Sequence, residues 1–317
     1  MSEQPQGAED WPALPYEEWR ETRDTLHMYT QVLGKLRLAL SPFEPEWANV
    51  PLYVSARGLS TSSMPYGLRT VDAELDLIDH ELVLRSSDGA VRRRPLGGSV
   101  ADFFTDVMRE LREMGVDAEI SAVPSEVAHA IPFADDREHV MYDARAARRF
   151  FDVLSRVDVV LKEHHAAFRG RYTPVQFFWG TFDLALTRYS GRPVQVPEGT
   201  GVIGRFGGDA EEICAGWWPG DGGNPFPAFY AYAYPKPDGI GAAEILPAVA
   251  AWSDGAGEFL LPYDMARAEP DPRRAMREFL DSTYAVAASL MRWDPELAHV
   301  AAPRHTAAHE RKSGVTA

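Results

Sequence analysis

The amino-acid sequence predicts an α+β protein made of two related helix-plus-antiparallel-sheet units, packed as one compact pseudo-twofold body. Three observations predict this class. Amphipathic stretches with helical spacing alternate with short runs rich in β-branched and aromatic residues. The order of one helix followed by several strands occurs twice along the chain. In addition, 45% of the 317 residues are hydrophobic, which is enough for a sizeable core.

The first unit is predicted over residues 11–143 and begins with a helix at 16–32, whose apolar residues recur at helical spacing. Ser99 and Gly115 are the predicted N-cap and C′ residues of a second helix. A hairpin turn is predicted at 77–79, where two runs with strand character meet. Strands are predicted at 35–40, 52–56, 71–76, 80–85 and 116–123.

The second unit is predicted over residues 144–302, with a helix at 144–168 and another at 272–291. Asp271 is the predicted N-cap of the last helix, and Pro272 occupies its first position. Strands are predicted at 175–179, 182–187 and 229–234.

The two ends of the chain, residues 1–10 and 303–317, are polar and have no apolar period, so we expect them to be disordered. His305 and His309 lie four positions apart in the tail. In a helix they could share a metal ion, whereas unligated histidines are typical of a frayed tail.

Faint similarity between the halves suggests an internal duplication. Residues 51–58 match 182–189 in pattern, and each segment is an apolar run that contains an arginine near its end, Arg57 or Arg188. Under duplication these arginines occupy equivalent strand ends, and the interface between the halves is a natural place for a ligand cavity. Chance likeness of two helix-then-sheet segments is the alternative.

The net charge of −15 argues against binding to nucleic acids and to anionic membranes, because both repel a negative surface. The alternative is that the charge only maintains solubility. Cys214 is the single cysteine, so the sequence allows no intrachain disulfide and no thiolate zinc cluster. We find no signal-peptide pattern and no run long enough to span a bilayer, and therefore expect a cytoplasmic protein.

Common cofactor and catalytic motifs are missing from the sequence. It has no P-loop, no GxSxG elbow, no HExxH and no EF-hand loop. Residues 201–208 are glycine-rich, but they do not connect a strand to a helix as a nucleotide-binding loop does. We therefore predict no cofactor.

Residues 171–192 combine an aromatic cluster that includes Trp179 with two charged side chains, Asp183 and Arg188, in a run that is otherwise typical of a buried strand. A buried charge is costly unless it has a partner. One interpretation is a structural ion pair. The other is that Arg188 binds an oxygen of a small molecule.

Residues 211–237 contain seven aromatic side chains, among them Trp217 and Trp218, on what the glycines and prolines predict to be an irregular loop. Aromatic walls with few polar groups are typical of a small-molecule pocket. The alternative is a long loop that its own aromatics fold over the core. Cys214 is expected to be a small buried residue.

The connector before the second unit places His139 among several aspartates, of which Asp143 is the last. Carboxylates beside a histidine could orient it as a base or bind a metal. The alternative is a solvated turn in which Asp143 caps the next helix. His27, next to the apolar stripe of the first helix, is a ligand-contact candidate, with a satisfied interface histidine as the alternative.

Short motifs spread along the chain carry a family resemblance. In the first half they are Trp11-Pro12, Leu26-His27, Gly34-Lys35, Leu52-Tyr53-Val54, Arg57-Gly58-Leu59, Ser99-Val100-Ala101-Asp102-Phe103 and Pro132-Phe133. In the second half they are Phe177-Phe178-Trp179-Gly180, Phe182-Asp183-Leu184-Ala185, Thr187-Arg188, Ser190-Gly191-Arg192, Trp218-Pro219-Gly220 and Phe259-Leu260-Leu261-Pro262-Tyr263. Together they resemble the bacterial domain-of-unknown-function family 5996, which implies membership but no activity.

The sequence departs from the pattern that this resemblance implies. The family pattern has lysine at 171 and histidine at 176 and 210, whereas this chain has Arg171, Gln176 and Ala210. If those histidines act as a base or as metal ligands in relatives, that chemistry is altered or lost here.

These features lead to a functional hypothesis, an enzyme that acts on a small organic molecule by acid/base chemistry in an aromatic pocket. The predicted proton-transfer residues are His139, Asp183 and Glu211. The predicted substrate-binding residues are His27, Arg57, Trp179, Arg188, Trp217 and Trp218. A non-catalytic binding or self-protection protein and a protein-interaction scaffold are the alternatives, and the enzyme hypothesis expects Arg188, Glu211 and His139 within ~8 Å of one another around one cavity.

Overall fold

Two antiparallel sheets and six helices make up the part of the chain that a computed structural model describes, namely residues 10–166, 168–196 and 198–298 without the side chains at 202 and 203. The predicted α+β class is therefore confirmed. The ends predicted as disordered, with His305 and His309, lie outside the described residues except for Asp10.

The helices begin where local capping signals lie in the sequence. They are α1 (Arg20–Leu40), α2 (Val100–Glu113), α3 (Ala144–His165), α4 (Val202–Gly207), α5 (Tyr263–Arg267) and α6 (Pro272–Leu290). The Ser99 hydroxyl accepts a hydrogen bond from the backbone N–H of Asp102 at 3.1 Å, and Asp271 caps α6 in the same way. Among the described helices, none combines the length and the apolar character that crossing a bilayer requires.

The first sheet lies in the first half of the chain. Its strands are β1 (Tyr53–Val54), β2 (Gly58–Ser60), β3 (Met64–Tyr66), β4 (Arg69–Asp76), β5 (Glu81–Ser86) and β6 (Val91–Pro95). The strand order is β1-β2-β4-β5-β6, and β3 also pairs with β4. The predicted hairpin is present, since β4 and β5 pair from Asp76 opposite Glu81.

The second sheet forms the scaffold of the candidate site. Its strands are β7 (Gln176–Phe178), β8 (Asp183–Pro193), β9 (Ala210–Trp218), β10 (Ala228–Tyr234), β11 (Ala251–Ser253) and β12 (Glu258–Pro262). The strand order is β11-β12-β10-β9-β8-β7, and all described pairs are antiparallel.

The two sheets meet at their edges. Leu52, just before β1, exchanges two backbone hydrogen bonds with Phe177 of β7, at 2.9 and 2.8 Å. The sheets differ in strand order, because β12 lies between β10 and β11 in the second sheet while the first sheet has β3 as a branch. The predicted internal duplication is not confirmed.

Two predicted strands are wrong. Residues 35–40 form the last turns of α1, where Leu36 is fully buried and Leu38 is 40% exposed, so their side chains face different ways. Residues 116–123 form no strand. There the N–H of Val116 bonds to the end of α2, and the N–H of Asp117 bonds to the hydroxyl of Tyr66, in place of a strand partner.

Strand β9 was not predicted, and its presence corrects the interpretation of residues 211–237 as an irregular loop. Glutamate, alanine and glycine, which are uncommon in strands, make up much of its sequence. The strand forms because it lies between β8 and β10 and pairs with both over most of its length. Trp217 and Trp218 are therefore strand residues with fixed and opposite directions.

Candidate active site

Strands β8, β9 and β10 have one face toward helices and one toward an open cleft, because successive side chains of a strand alternate. Helices α3 and α6 pack on the first face, where Leu184, Ile213 and Phe229 are almost fully buried. The other face is polar and aromatic. It carries Asp183, Ala185, Thr187, Cys214, Trp218, Ala228, Tyr230 and Tyr232.

Two adjoining cavities lie over this polar face. The first has a volume of about 680 Å³ and the second about 750 Å³. Both are lined by Glu126, Phe178, Gly180, Thr181, Thr187 and Tyr232, so they are parts of one space, which we call the cleft. Its size is in the range of small-molecule sites.

Asp183 lies in the first cavity and is only 7% exposed. The hydroxyl groups of Thr181 and Tyr230 each donate a hydrogen bond to its carboxylate, one to each oxygen. Burial raises the pKa of Asp183, the two hydroxyl groups lower it, and the nearby charge of Glu126 raises it further. The net effect is upward, so Asp183 holds its proton to a higher pH than an exposed aspartate does.

Glu126 lines both cavities from a loop that α1 holds in place. The Gln31 amide exchanges two hydrogen bonds with the backbone of Ser125, at 2.8 and 3.0 Å, and the Lys35 ammonium donates to the Ser125 hydroxyl at 2.8 Å. A Cβ at Gly180 would overlap the Glu126 carboxylate. Glycine at this position therefore makes room for that carboxylate in the cleft.

His27 of α1 lines the first cavity from the same side. Its Nε2 lies 2.9 Å from the carbonyl oxygen of Trp179 and 3.0 Å from that of Gly180. Because both oxygens are acceptors, Nε2 carries the hydrogen and Nδ1 keeps a lone pair. Burial and the charge of Arg23 lower the pKa of His27 to about 3, so the ring is neutral.

The floor of the cleft is a pair of tyrosines. A Cβ on Gly216 would lie 2.5 Å from the outer end of the Tyr230 ring, so glycine lets that ring lie across the sheet. The rings of Tyr230 and Tyr232 are nearly parallel, at 9°, with centroids 6.5 Å apart. Cys214 pairs with Tyr232, and burial raises the pKa of its thiol to about 12, which makes it a poor nucleophile at neutral pH.

Two further carboxyl groups line the cleft. Burial raises the pKa of Glu212 to about 7, although the charge of Arg171 opposes the shift. Burial also raises the pKa of Glu258, and the charge of Asp183 adds to it. Both groups thus lie in surroundings that disfavour their negative charge.

Arg188 and Trp217, two of the predicted binding residues, point to the helix side of the sheet and do not line the cleft. Arg188 is 3% exposed, donates to the carbonyl oxygen of His164, and lies 4.4 Å from the ring centre of Tyr284. Burial lowers the pKa of Arg188 to about 10. Trp217 is fully buried against Phe150.

Glu211, a predicted proton-transfer residue, also lies outside the cleft. Its carboxylate accepts hydrogen bonds from Ser190 at 3.0 Å, from Arg192 at 2.6 Å and from the Trp293 indole at 3.0 Å. The guanidinium of Arg192, listed first among its polar partners by charge, also donates to the carbonyl oxygens at the end of α6. The contacts of Glu211 thus anchor the C-terminal end of α6 to the sheet.

His139 and Arg57 lie in the first half of the chain, away from the cleft. The Nδ1 of His139 is 2.7 Å from the Asp136 carboxylate, beside the start of α2. Arg57 pairs with Asp76 and Asp79 at the β4–β5 turn. The expected convergence of Arg188, Glu211 and His139 around one cavity is therefore not found in the described residues.

Four of the nine predicted site residues do line the cleft. They are His27, Asp183 and Trp218 in the first cavity and Trp179 in the second. Sequence reasoning missed Glu126, Glu212 and Glu258. The alternation of tyrosine and alanine in β10 could have placed Tyr230 and Tyr232 on one face, but no local signal marks Glu126 in its loop.

The two positions where the family pattern has histidine lie apart. Gln176 pairs with Ala185, which pairs with Gly216, whereas position 210 is six residues further along β9. At ~3.3 Å per residue the separation is about 20 Å, too far for two ligands of one ion. Neither position lines the cleft. Among the described residues no group of three or more histidine, cysteine or acidic side chains is placed to hold a metal ion.

The fold and the cleft define an α+β protein with an aromatic and carboxylate-rich cleft on one face of an antiparallel sheet. The chain belongs to a family of unknown function, DUF5996, whose model matches residues 11–300. The predicted resemblance is thereby confirmed. Comparison with curated proteins and with solved structures gave no match.

Proposed function

We propose that the protein is an enzyme that acts on a small organic molecule by acid/base chemistry in the cleft. One observation carries the proposal. Asp183 is more than nine-tenths buried at a large cavity, and its carboxylate is held by two hydroxyl groups and by no ion pair among the described residues.

Such an arrangement is costly for folding alone. A buried carboxylate without a cation destabilises the folded chain, and an apolar or amide side chain of similar size avoids that cost. Carboxyl groups with raised pKa values in clefts are typical of general acids and bases. The energetic cost of Asp183 is therefore best explained by proton transfer to or from a bound molecule.

The surroundings of Asp183 suggest distinct roles for its neighbours. Tyr230 and Thr181 orient the carboxyl group through their hydroxyl groups. Glu126, the second carboxylate in the first cavity, is the partner that would take or return a proton on another side of the substrate. This pair replaces the role that sequence reasoning gave to Glu211 and His139.

Aromatic side chains supply the binding surface. Trp218 and Tyr230 line the first cavity, and Trp179 lines the second, where its indole N–H donates to the carbonyl oxygen of Val50 at 2.9 Å. Aromatic walls with a few polar groups bind and orient small organic molecules. The negative net charge supports a small-molecule substrate over a nucleic acid.

A non-catalytic small-molecule binder is the second candidate. The absence of Arg188, Glu211 and His139 from the cleft favours it, because the catalytic group expected from the sequence does not assemble there. The raised pKa values of Asp183, Glu212 and Glu258 favour the enzyme, since a binder does not require them.

The experiment that separates these candidates is untargeted. The protein is incubated with a protein-free small-molecule extract of bacterial cells, and the extract is followed over time by mass spectrometry. Asp183→Asn and Glu126→Gln are compared with wild type. Glu113→Gln, an exposed residue at the end of α2, is the matched control.

We expect the wild type and Glu113→Gln to consume one compound and form another in large molar excess over the protein. Asp183→Asn is expected to lower that rate by a factor of about 100 or more, in the range typical of a lost general acid or base. Stoichiometric depletion without any product would support the binder. Equal turnover by Asp183→Asn would rule out its catalytic role.

A further inference from the structure

We infer that the molecule bound in the cleft carries a positively charged ammonium group, which lies beside Asp183 and against the tyrosine floor. This inference rests on the proposed function for the location of the site and adds the chemical class of the ligand. Three independent features of the described residues support it.

The first feature is an excess of unpaired carboxylates. Glu126, Asp183, Glu212 and Glu258 line the cleft, and none of them forms an ion pair with another described residue. Arg23 is the single lysine or arginine among the described lining residues, and its guanidinium already lies 2.9 Å from the Asp24 carboxylate. The cleft therefore attracts cations and repels anions.

The second feature is His27, which is more than nine-tenths buried and lines the first cavity. Its N–H is used by the carbonyl oxygens of Trp179 and Gly180, so Nδ1 offers only a lone pair. No described residue donates a hydrogen bond to this nitrogen. A neutral histidine with a free lone pair requires a donor, and an ammonium group has up to three N–H donors.

The third feature is the aromatic floor. The Tyr230 ring lies across Gly216, nearly parallel to Tyr232, and Trp218 lines the same cavity. Faces of aromatic rings attract cations, and sites that combine such faces with carboxylates are typical of alkylammonium recognition. The aromatic surface explains why an organic cation is favoured over a metal ion, which needs several oxygen or nitrogen ligands in a fixed shell.

A bound cation would also relieve the repulsion between the carboxylates. The charge of Asp183 raises the pKa of Glu258, and that of Glu126 raises the pKa of Asp183. A positive charge between these groups stabilises their ionised forms. Substrate binding and ionisation of the acid/base pair would then favour each other.

Binding calorimetry with four matched probes tests the inference. 2-Phenylethylammonium carries the charge and the N–H donors, and its trimethylammonium analogue keeps the charge without donors. 2-Phenylethanol is the neutral counterpart, and 3-phenylpropanoate is the anionic one. Each is titrated into the full-length protein at neutral pH and low ionic strength.

We expect 2-phenylethylammonium to bind at least tenfold more tightly than 2-phenylethanol, with the trimethyl analogue between them and no binding of the anion. Equal or tighter binding of the alcohol or the anion would overturn the inference. So would the failure of both cations to bind. Tighter binding of the trimethyl analogue than of the primary ammonium would remove the role given to His27.

Variants locate the charge. Glu258→Gln removes a cleft carboxylate that has no part in the proposed proton transfer, and we expect it to weaken 2-phenylethylammonium binding about fivefold, with unchanged binding by Glu113→Gln. Equal affinity of Glu258→Gln and wild type would contradict the location. Because calorimetry measures binding without turnover, a protein that binds the ammonium but converts no compound leaves this inference standing and rejects the proposed enzyme.

Discussion

The phenol of Tyr230 on β10 crosses over Gly216 of β9 to donate a hydrogen bond to the carboxylate of Asp183 on β8. This one contact joins three strands across the floor of the cleft. It is possible because Gly216 has no Cβ, and it leaves the carboxyl group facing a cavity instead of a cation. The geometry of the sheet thus maintains a costly group at a fixed place.

Removing the phenol should expose this cost. Tyr230→Phe deprives the buried Asp183 carboxylate of one of its two hydroxyl donors, so we expect a loss of about 2 kcal/mol in the free energy of unfolding at pH 8. At pH 4.5 the loss should be smaller, because a protonated Asp183 needs the donor less. Urea unfolding at both pH values measures the difference.

Tyr234→Phe is the matched control for that measurement. The Tyr234 hydroxyl makes no hydrogen bond with another described residue, so its removal should change the free energy of unfolding by less than about 0.5 kcal/mol at either pH. Equal losses for Tyr230→Phe at pH 4.5 and pH 8 would show that the phenol does not act on the ionised carboxylate.

Glu212 predicts a second pH dependence. Its pKa is about 7 in the folded chain, above the ordinary value of 4.5, so the folded state favours the protonated form. The sign follows from linkage: this side chain makes the wild type less stable as the pH rises from 4.5 through 7. Glu212→Gln removes that effect and should gain about 2 kcal/mol relative to wild type between pH 4.5 and pH 8.

The gain is measured by urea unfolding at the two pH values, with Glu113→Gln as an exposed control. A difference between Glu212→Gln and wild type that does not change with pH would mean that Glu212 has an ordinary pKa in the folded protein.

Local signals in the sequence were sufficient for the elements that local interactions determine. Ser99 and Asp271 begin α2 and α6 because each side chain bonds to a backbone N–H three positions ahead. The β4–β5 hairpin follows from its alternating pattern. Strand β9 follows from pairing on both sides, which a window of neighbouring residues does not contain.

The cleft depends on contacts between distant parts of the chain, which explains why only part of it was predicted. His27 bonds to Trp179, 152 positions away, and Gln31 fixes Ser125, 94 positions away. Asp183 was found because a charge in an apolar strand is a local anomaly. Glu126 has no such signal, since its place in the cleft depends on how α1 holds its loop.

Cys214 should be unreactive in the native protein. Burial raises the pKa of its thiol to about 12, so the thiolate fraction at pH 8 is on the order of one in ten thousand. We expect alkylation by iodoacetamide at pH 8 to be at least about 100 times slower in the native protein than in urea. Because the chain has one cysteine, mass spectrometry reports on this thiol alone. Similar rates in both states would contradict the shift.

His27 should remain neutral at mildly acid pH. Burial and Arg23 lower its pKa to about 3, and its two carbonyl partners select the tautomer with hydrogen on Nε2. Nitrogen-15 NMR of the imidazole at pH 5 should show that tautomer, with His27→Gln used to assign the signal. A titration midpoint above pH 5, or hydrogen on Nδ1, would contradict the lone pair on which ammonium binding depends.

Gly34 tests whether the packing between α1 and Trp179 is as close as the structure indicates. In an exposed helix, alanine is more favourable than glycine by about 1 kcal/mol, so Gly34→Ala would stabilise an unpacked α1. Here a Cβ would overlap the indole of Trp179. That ring has little freedom to move, because it is 6% exposed and its N–H is bonded to Val50 at 2.9 Å.

We therefore expect Gly34→Ala to destabilise the protein by about 2 kcal/mol, since overpacking of a buried site exceeds the gain in helix propensity. Thermal unfolding of Gly255→Ala supplies the control, because a Cβ at that exposed position meets no atom within 4 Å. A melting temperature of Gly34→Ala equal to or above that of wild type would mean that α1 and Trp179 are further apart. The wall of the second cavity, and the carbonyl oxygens that orient His27, would then be placed differently.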